Sequence, residues 1–426
     1  MNIIGCEKEK AEIKELKEML CNFENYKANG VRIPRGLLLY GEAGVGKTML
    51  ARSIAGEGIN LIELSAALCC DEDVADVITE AFANAKNSAP SVLLIDELDK
   101  IAGANERFHM NNNDRSRKVL LTLLDELSDS DRVLVVGTCN DIETMEDALI
   151  RPGRFDRILK IDLPDEETRK SILEEYLNRI NVKRNFDVTA LAHNTRGFSG
   201  AKLECLVNEA GIIALQKGKH IIKEEDVRYV LNKMEFGALE KNPFQDYDVL
   251  HHVAVHEAGH ALVAMLLCPE NLFGASVMPQ GESNGHIRFV PDSSMQSVSE
   301  IENEIAVILG GHIAERYVFN EYNIGARSDI RKATIRLHYL ATKEAAYGYR
   351  YVLNGICGES LSESTKLQLE NLINKKLEEI DKRTEQLICS NATLYYKIVK
   401  ALEEKLVLSF EELKELADSE LCERVA

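Results

Sequence analysis

The sequence predicts an α/β module, a parallel sheet covered by helices, which carries a helical lid and is followed by a mostly α-helical domain. Three observations predict it. Short apolar runs at 36–40, 91–95 and 133–136 alternate with helical stretches over residues 1–165, the pattern of a parallel sheet whose sites lie at the strand C-termini. A glycine-rich turn follows the first of these runs. Beyond residue 246 helical patterns dominate, and one of them holds His256-Glu257-Ala258-Gly259-His260.

The first element, Gly36-Leu37-Leu38-Leu39-Tyr40, reads as a buried strand that feeds directly into Gly41-Glu42-Ala43-Gly44-Val45-Gly46-Lys47-Thr48, with a helix over 48–54 after it. GxxxxGK[ST] in that strand-turn-helix setting is a phosphate-binding loop. Its glycines let the backbone wrap phosphate oxygens with amide hydrogens at a helix N-terminus. Residues Gly41, Glu42, Ala43, Gly44, Val45 and Gly46 form the cradle, Lys47 reaches the β- and γ-phosphates, and Thr48 holds magnesium. The expected ligand is a nucleoside triphosphate with Mg2+.

The second run ends in Asp96-Glu97. At the end of a parallel strand, Asp96 is placed to organise the magnesium and Glu97 to polarise the attacking water. The third run leads to Gly137-Thr138-Cys139-Asn140, which sets the polar Asn140 beside the phosphate site. Arg151-Pro152-Gly153-Arg154-Phe155-Asp156-Arg157 then spaces three arginines around a Pro-Gly turn. In an NTPase such arginines serve the γ-phosphate of a neighbouring subunit, worth roughly a thousandfold or more in rate.

Residues 166–237 read as the lid, with helices over 171–179, 201–217 and 224–233. Residues 238–246, with Pro243, read as a linker, and 247–426 as the second domain. There, His256 and His260 stand four apart, so one helix face offers two imidazoles to one metal ion. Glu257 projects beside them, placed to take a proton from a water whose pKa zinc lowers to about 7. The flanks Val253, Ala254, Val255, Ala261, Leu262 and Val263 are apolar on nearly all sides, and buried histidines beside a buried glutamate need a partner.

A tetrahedral zinc holding a water needs a third protein ligand. Val263 and Leu266 occupy the positions where an HxxGxxH continuation would need its glycine and its last histidine, so the ligand is a carboxylate further on. Glu282, Glu315 and Asp329 are the candidates, and spacing does not choose among them. His252 also lies on the histidine face, but three ligands on successive turns span about 12 Å and do not surround an ion. It reads as a polar residue at the helix start. The stretch Gly285-His286-Ile287-Arg288-Phe289-Val290 alternates like an edge strand, able to pair with an extended peptide.

Taken in order, the Gly-x4-Gly-Lys-Thr loop, Leu93-Leu94-Ile95-Asp96-Glu97-Leu98-Asp99, the Arg-Pro-Gly-Arg-Phe-Asp-Arg turn, Gly197-Phe198-Ser199-Gly200-Ala201 and HEAGH resemble the FtsH family of ATP-dependent AAA zinc metalloproteases, peptidase family M41 type. The likeness runs from about Ile4 to near the C-terminus. It implies an AAA module with its lid, followed by a zinc metalloprotease domain binding one Zn2+ per chain. The implied activity is ATP-dependent endoproteolysis of unfolded or targeted proteins by a ring, a homo-hexamer. It further implies that Asn140 is a sensor and that Arg154 and Arg157 are trans-acting fingers, with Arg151 a weaker candidate. The family's Gly-Ala-x-x-Asp-Ile segment is Gly325-Ala326-Arg327-Ser328-Asp329-Ile330 here, which selects Asp329 as third ligand and leaves Glu315 as a carboxylate behind the ligands.

Two segments depart from the family. The pore segment, usually aromatic-Val-Gly, reads Ala67-Leu68-Cys69-Cys70-Asp71-Glu72-Asp73, and the Asp-Gly-Phe signalling segment reads Asp125-Glu126-Leu127. The altered pore segment raises a second reading, an AAA remodelling or regulatory factor whose peptidase works without ATP. Family members usually carry transmembrane helices ahead of the ATPase, whereas this chain starts almost where the ATPase starts. Its first residues lack the form of a signal peptide and no run reaches about 18 apolar residues. The expectation is therefore a soluble, cytoplasmic chain with no intrinsic membrane span, associating with membranes or adaptors only through partners. Ten cysteines with no CxxC spacing read as reduced thiols. A net charge of −19 argues against nucleic-acid binding.

Overall fold

The computed structural model of the protein describes residues 3–56, 58–65, 74–102, 112–180, 182–237, 244, 246–279, 284–291, 296–321, 327–342, 344, 346–348 and 363–425. The pore segment 67–73, Glu282 and Gly325-Ala326 lie outside them. Two compact units result, Met1–Val227 and Arg228–Ala426.

In the first unit β1 (Gly36–Tyr40), β2 (Asn60–Ser65), β3 (Ser91–Asp96), β4 (Val133–Cys139) and β5 (Arg157–Lys160) form one sheet in the order β2-β3-β4-β1-β5. Every pairing is parallel. Because successive side chains point to opposite faces, each strand feeds two cores. Leu38, Leu93, Ile95 and Val135 pack on one face with Ile78, Phe82, Leu120 and Leu124. Leu37, Leu39, Val92, Leu94 and Val136 pack on the other with Ile13, Leu16, Leu50 and Ile54. The covering helices are α1 (Glu7–Cys21), α3 (Lys47–Ile54), α4 (Val74–Asn87) and α6 (Asn112–Glu126), with the short α2 (Phe23–Ala28) and α5 (Leu98–Ala102) between. Burial on both faces is why these strands read as unbroken apolar runs.

The lid comprises α7 (Glu166–Arg179), α8 (Val188–Asn194) and α9 (Gly200–Gln216), with a short parallel pair of β6 (Lys183–Asn185) and β7 (Ile221–Lys223). Helix α7 starts earlier than its apolar pattern because Asp165 caps it, accepting from the Thr168 N–H at 2.8 Å. Helix α10 (Glu224–Phe236) begins in the first unit and ends in the second, so the division between Val227 and Arg228 lies inside a helix, ahead of the stretch 238–246.

The second unit holds α11 (Tyr247–Leu267), α12 (Val298–Phe319), α13 (Arg327–Thr342), α14 (Glu363–Ser390), α15 (Ala392–Lys405) and α16 (Phe410–Val425). Its antiparallel sheet, ordered β10-β8-β9, joins β8 (Leu272–Ser276), β9 (His286–Phe289) and β10 (Val407–Ser409). Of these only β9 was expected from alternation. Helices α11 and α12 are buried on several sides, as their apolar flanks require. They cross at Gly259 and Gly310, where a Cβ on Gly259 would lie 2.4 Å from the Gly310 carbonyl oxygen. Only glycine permits that approach, and it brings the HEAGH turn against α12. No described helix is long and apolar enough to cross a membrane.

Candidate nucleotide and metal sites

The nucleotide site forms at the C-terminal ends of β1, β3 and β4. Gly46, at φ +99°, caps α3 in a left-handed conformation that a residue with a Cβ adopts at a cost. Lys47 is buried, and its ammonium donates to the carbonyls of Gly41 (2.7 Å) and Glu42 (2.8 Å) and to Asn140 Oδ1 (3.0 Å). Burial holds its pKa below the ordinary lysine value, against the pull of nearby acids such as Asp99 and Asp96. The Thr48 hydroxyl donates to Asp96 Oδ1 at 2.9 Å, so the two expected magnesium residues already meet. Gly44 faces the lid: its carbonyl accepts from the Ala201 N–H at 3.2 Å, and a Cβ there would sit 2.8 Å from Ser199 Oγ.

Glu97 has φ +57°, an uncommon conformation for a side-chain-bearing residue and a mark of functional sites. Its N–H donates to Thr138 Oγ1 at 3.0 Å, while the Thr138 hydroxyl donates to Asp96 Oδ1 at 2.6 Å. Sequence reasoning gave Thr138 no role; its only signal was a hydroxyl near the end of an apolar strand. Arg154 and Arg157 bond elsewhere than the loop: Arg154 to Asp125 and the Ala148 carbonyl, Arg157 to Glu12 at 2.9 Å.

In the second unit the ligand atoms of His256, His260 and Asp329 all lie within 4.8 Å of one another. Asp329 Oδ2 is 3.2 Å from His256 Nε2 and 3.4 Å from His260 Nε2. The far ring nitrogens are fixed from behind. His260 Nδ1 donates to the Val307 carbonyl at 2.7 Å, and His256 Nδ1 meets Glu315 Oε1 at 3.0 Å. A carbonyl only accepts, so the His260 proton sits on Nδ1 and the Nε2 lone pair points at Asp329. Lys332 steadies the outer Asp329 oxygen at 3.3 Å.

The donor set favours a cation here. Glu257, Glu315 and Asp329, three largely buried carboxylates, surround two imidazoles, the nitrogen and oxygen ligands that a zinc site uses. Burial raises the Glu257 pKa, only partly offset by His260 and His256. For His256 burial works downward, but hydrogen bonds to Asp329 and Glu315 prevail and push it up to about 10. Burial would lift Asp329, yet the imidazoles of His256 and His260 beside it hold it well below the carboxylate range. One Glu257 oxygen, Oε2, is buried with no hydrogen-bond partner among the described residues. A Cβ on Gly311 would lie 2.5 Å from His260 Nε2 and 2.6 Å from His256 Nε2, so that glycine keeps open the space between the donors. Donor set, charge and room all fit Zn2+.

The trio opens into a cleft of about 780 Å³, bordered by Val253, Ile287, Phe289, Ile308 and Lys332. His252 lines the cleft too, but its ring stacks on Phe319 at 3.9 Å rather than joining the trio.

Comparison with known proteins matches both parts of the chain to described families. Residues 37–163 match the ATPase family associated with various cellular activities (AAA), 185–229 the AAA+ lid domain, and 249–416 peptidase family M41. The chain is 31% identical over 420 residues to the ATP-dependent zinc metalloprotease FtsH 2 of Thermoanaerobacter sp. (strain X514), covering 97% of this chain and 79% of that protein. It is 31% identical over 441 residues to the ATP-dependent zinc metalloprotease FtsH of Caldicellulosiruptor bescii, covering 97% and 71%. These matches favour the ATP-coupled protease over the remodelling factor with an independent peptidase.

Proposed function

The chain belongs to the FtsH family of ATP-dependent AAA zinc metalloproteases, and from that premise we propose how its own residues divide the work. The enzyme is both an ATPase and a zinc endopeptidase. Zinc, when bound, lowers the pKa of a water to near neutrality and polarises a carbonyl. His256, His260 and Asp329 hold it, with Glu315 and the Val307 carbonyl orienting the two rings. Glu257 takes the proton of the attacking water and delivers it to the leaving amine. Burial raises its pKa above the ordinary glutamate value, which makes it a stronger base when ionised. The convergence of the three ligand atoms beside Glu257 is the observation that carries this reading.

At the other site the loop Gly41 to Thr48 cradles ATP, Thr48 and Asp96 hold Mg2+, Glu97 polarises water, and Asn140 senses the γ-phosphate through Lys47. Arg154 and Arg157 act on a neighbour's nucleotide, which requires a ring, and we assign a homo-hexamer. Substrates are unfolded or targeted polypeptides. They lie extended along β9, the sheet-edge strand bordering the cleft, using main-chain hydrogen bonds. The six cysteines that stand free among the described residues suit a reducing, cytoplasmic setting.

Casein degradation tests the reading. The intact protein degrades casein with ATP, and a Glu97→Gln chain, which binds ATP without hydrolysing it, does not. Degradation indifferent to ATP and unaffected by Glu97→Gln would overturn the coupling of the two activities.

A further inference from the structure

The end of α10 grips the strand that borders the peptidase cleft. Phe236 is 3% exposed and packs on β8 beside Gly274, where a Cβ would lie 3.2 Å from its ring. That ring also meets His286, with centroids 5.1 Å apart. His286 Nε2 donates to the Glu235 carbonyl at 2.7 Å. The Glu235 carboxylate pairs with Arg288 Nε at 2.8 Å. Arg288 is 6% exposed, and its guanidinium lies 4.7 Å from the Phe273 ring centroid, where the β8–β9 register shifts.

Each contact limits sliding. Parting a buried guanidinium from its carboxylate is costly, so α10 cannot move along its axis without separating Arg288 from Glu235 or carrying β9 with it. Arg288 alternates along β9 with Ile287 and Phe289, which line the cleft. Just before the strand, a Cβ on Gly285 would lie 2.8 Å from Glu257 Oε1, so the strand also abuts the general base. Helix α10 starts at Glu224, in the nucleotide-binding unit, and runs unbroken to Phe236.

We infer that Glu235 and Arg288 are positioning residues of the peptidase: through them the C-terminal end of α10 sets where β9 lies, and thereby how tightly the cleft holds an extended peptide. The inference rests on the reading of β9 as the peptide-binding edge. It gives the nucleotide state a route to the cleft along one helix, separate from any movement of polypeptide through a pore.

A short fluorogenic peptide, which reaches the cleft without unfolding, tests it on the full-length zinc-loaded protein. KM and kcat are measured with ADP and with a non-hydrolysable ATP analogue. The wild-type KM differs between the two nucleotides by about fivefold or more. In Glu235→Gln and in Arg288→Met the KM rises about tenfold with kcat within about twofold, and the nucleotide dependence disappears. Zinc content and ATPase rate stay as in the wild type. Because the two residues act through each other, the double variant matches the single ones rather than adding, and Arg288→Lys recovers part of the loss. If Arg288→Met fails to fold, Glu235→Gln, which keeps the size of the side chain, carries the test. A wild-type KM blind to nucleotide, variants that keep the nucleotide dependence, or a fall in kcat at constant KM would each overturn the inference. Absence of peptide cleavage by the zinc-loaded wild type would instead overturn the peptidase reading beneath it.

Discussion

Asp125 holds Arg154 by both carboxylate oxygens, at 2.8 Å to Nε and 2.9 Å to Nη2. The pair keeps the Asp125 pKa low and the Arg154 pKa high. Asp125 belongs to the segment that departs from the family's Asp-Gly-Phe pattern, so its aspartate is retained and engaged within the chain. The Asp125 carboxylate is 56% exposed while the Arg154 side chain is 20% exposed, so under the proposed role Arg154 must leave a two-point bond to Asp125 before it reaches a neighbour's γ-phosphate.

Mixing two inactive chains checks the finger in trans. Arg154→Ala alone lowers ATP turnover by about a thousandfold or more, and Lys47→Ala alone abolishes nucleotide binding. In a mixture, the Lys47→Ala chain supplies Arg154 to the intact loop of the other, and turnover reappears. An inactive mixture that still assembles would remove Arg154 from this role.

Gly311→Ala tests the metal cradle from an unexpected side. The added methyl would sit 2.5 Å and 2.6 Å from the two Nε2 atoms, inside the space the metal needs. We expect a folded protein with unchanged ATPase and zinc content well below one per chain. Full zinc occupancy with ordinary affinity in a chelator competition would show that the space lies elsewhere.

The pH profile of proteolysis follows from Glu257. Burial raises its pKa, and the general base works only when ionised. Cleavage is therefore complete above the Glu257 pKa and is lost as pH falls through it. Protons also compete with zinc for its ligands in the same direction, so the rate is measured at saturating zinc with bound metal assayed at each pH. A rate that stays flat on acidification while the metal remains bound would contradict a base-active Glu257.

Much of this was legible in the sequence, for definite reasons. The loop Gly41 to Thr48 and the acids Asp96 and Glu97 are local to strand ends, and the HEAGH ligand pair is local to one helical turn. Asp329 lies 329 − 260 = 69 residues beyond His260, and spacing left Glu282 and Glu315 equally open; only the family resemblance chose it. Gly311 and the Val307 carbonyl were invisible, because they act through the crossing of α11 on α12, a tertiary approach that no periodicity encodes. Thr138 was missed because its bonds join β3 to β4 across more than forty residues of sequence. Strands β8 and β10 escaped notice since each is short and pairs with distant chain, Val407 opposite Ser276.

The central claim, that one polypeptide carries two separable active sites with Glu257 as the base of the second, is tested most directly by Glu257→Gln. Casein cleavage, ATP turnover and bound zinc are measured on the same preparation. Two separate sites require wild-type ATP turnover, about one zinc per chain, and casein cleavage reduced by at least about a hundredfold. Casein cleavage at wild-type rate in the zinc-loaded Glu257→Gln protein would contradict it.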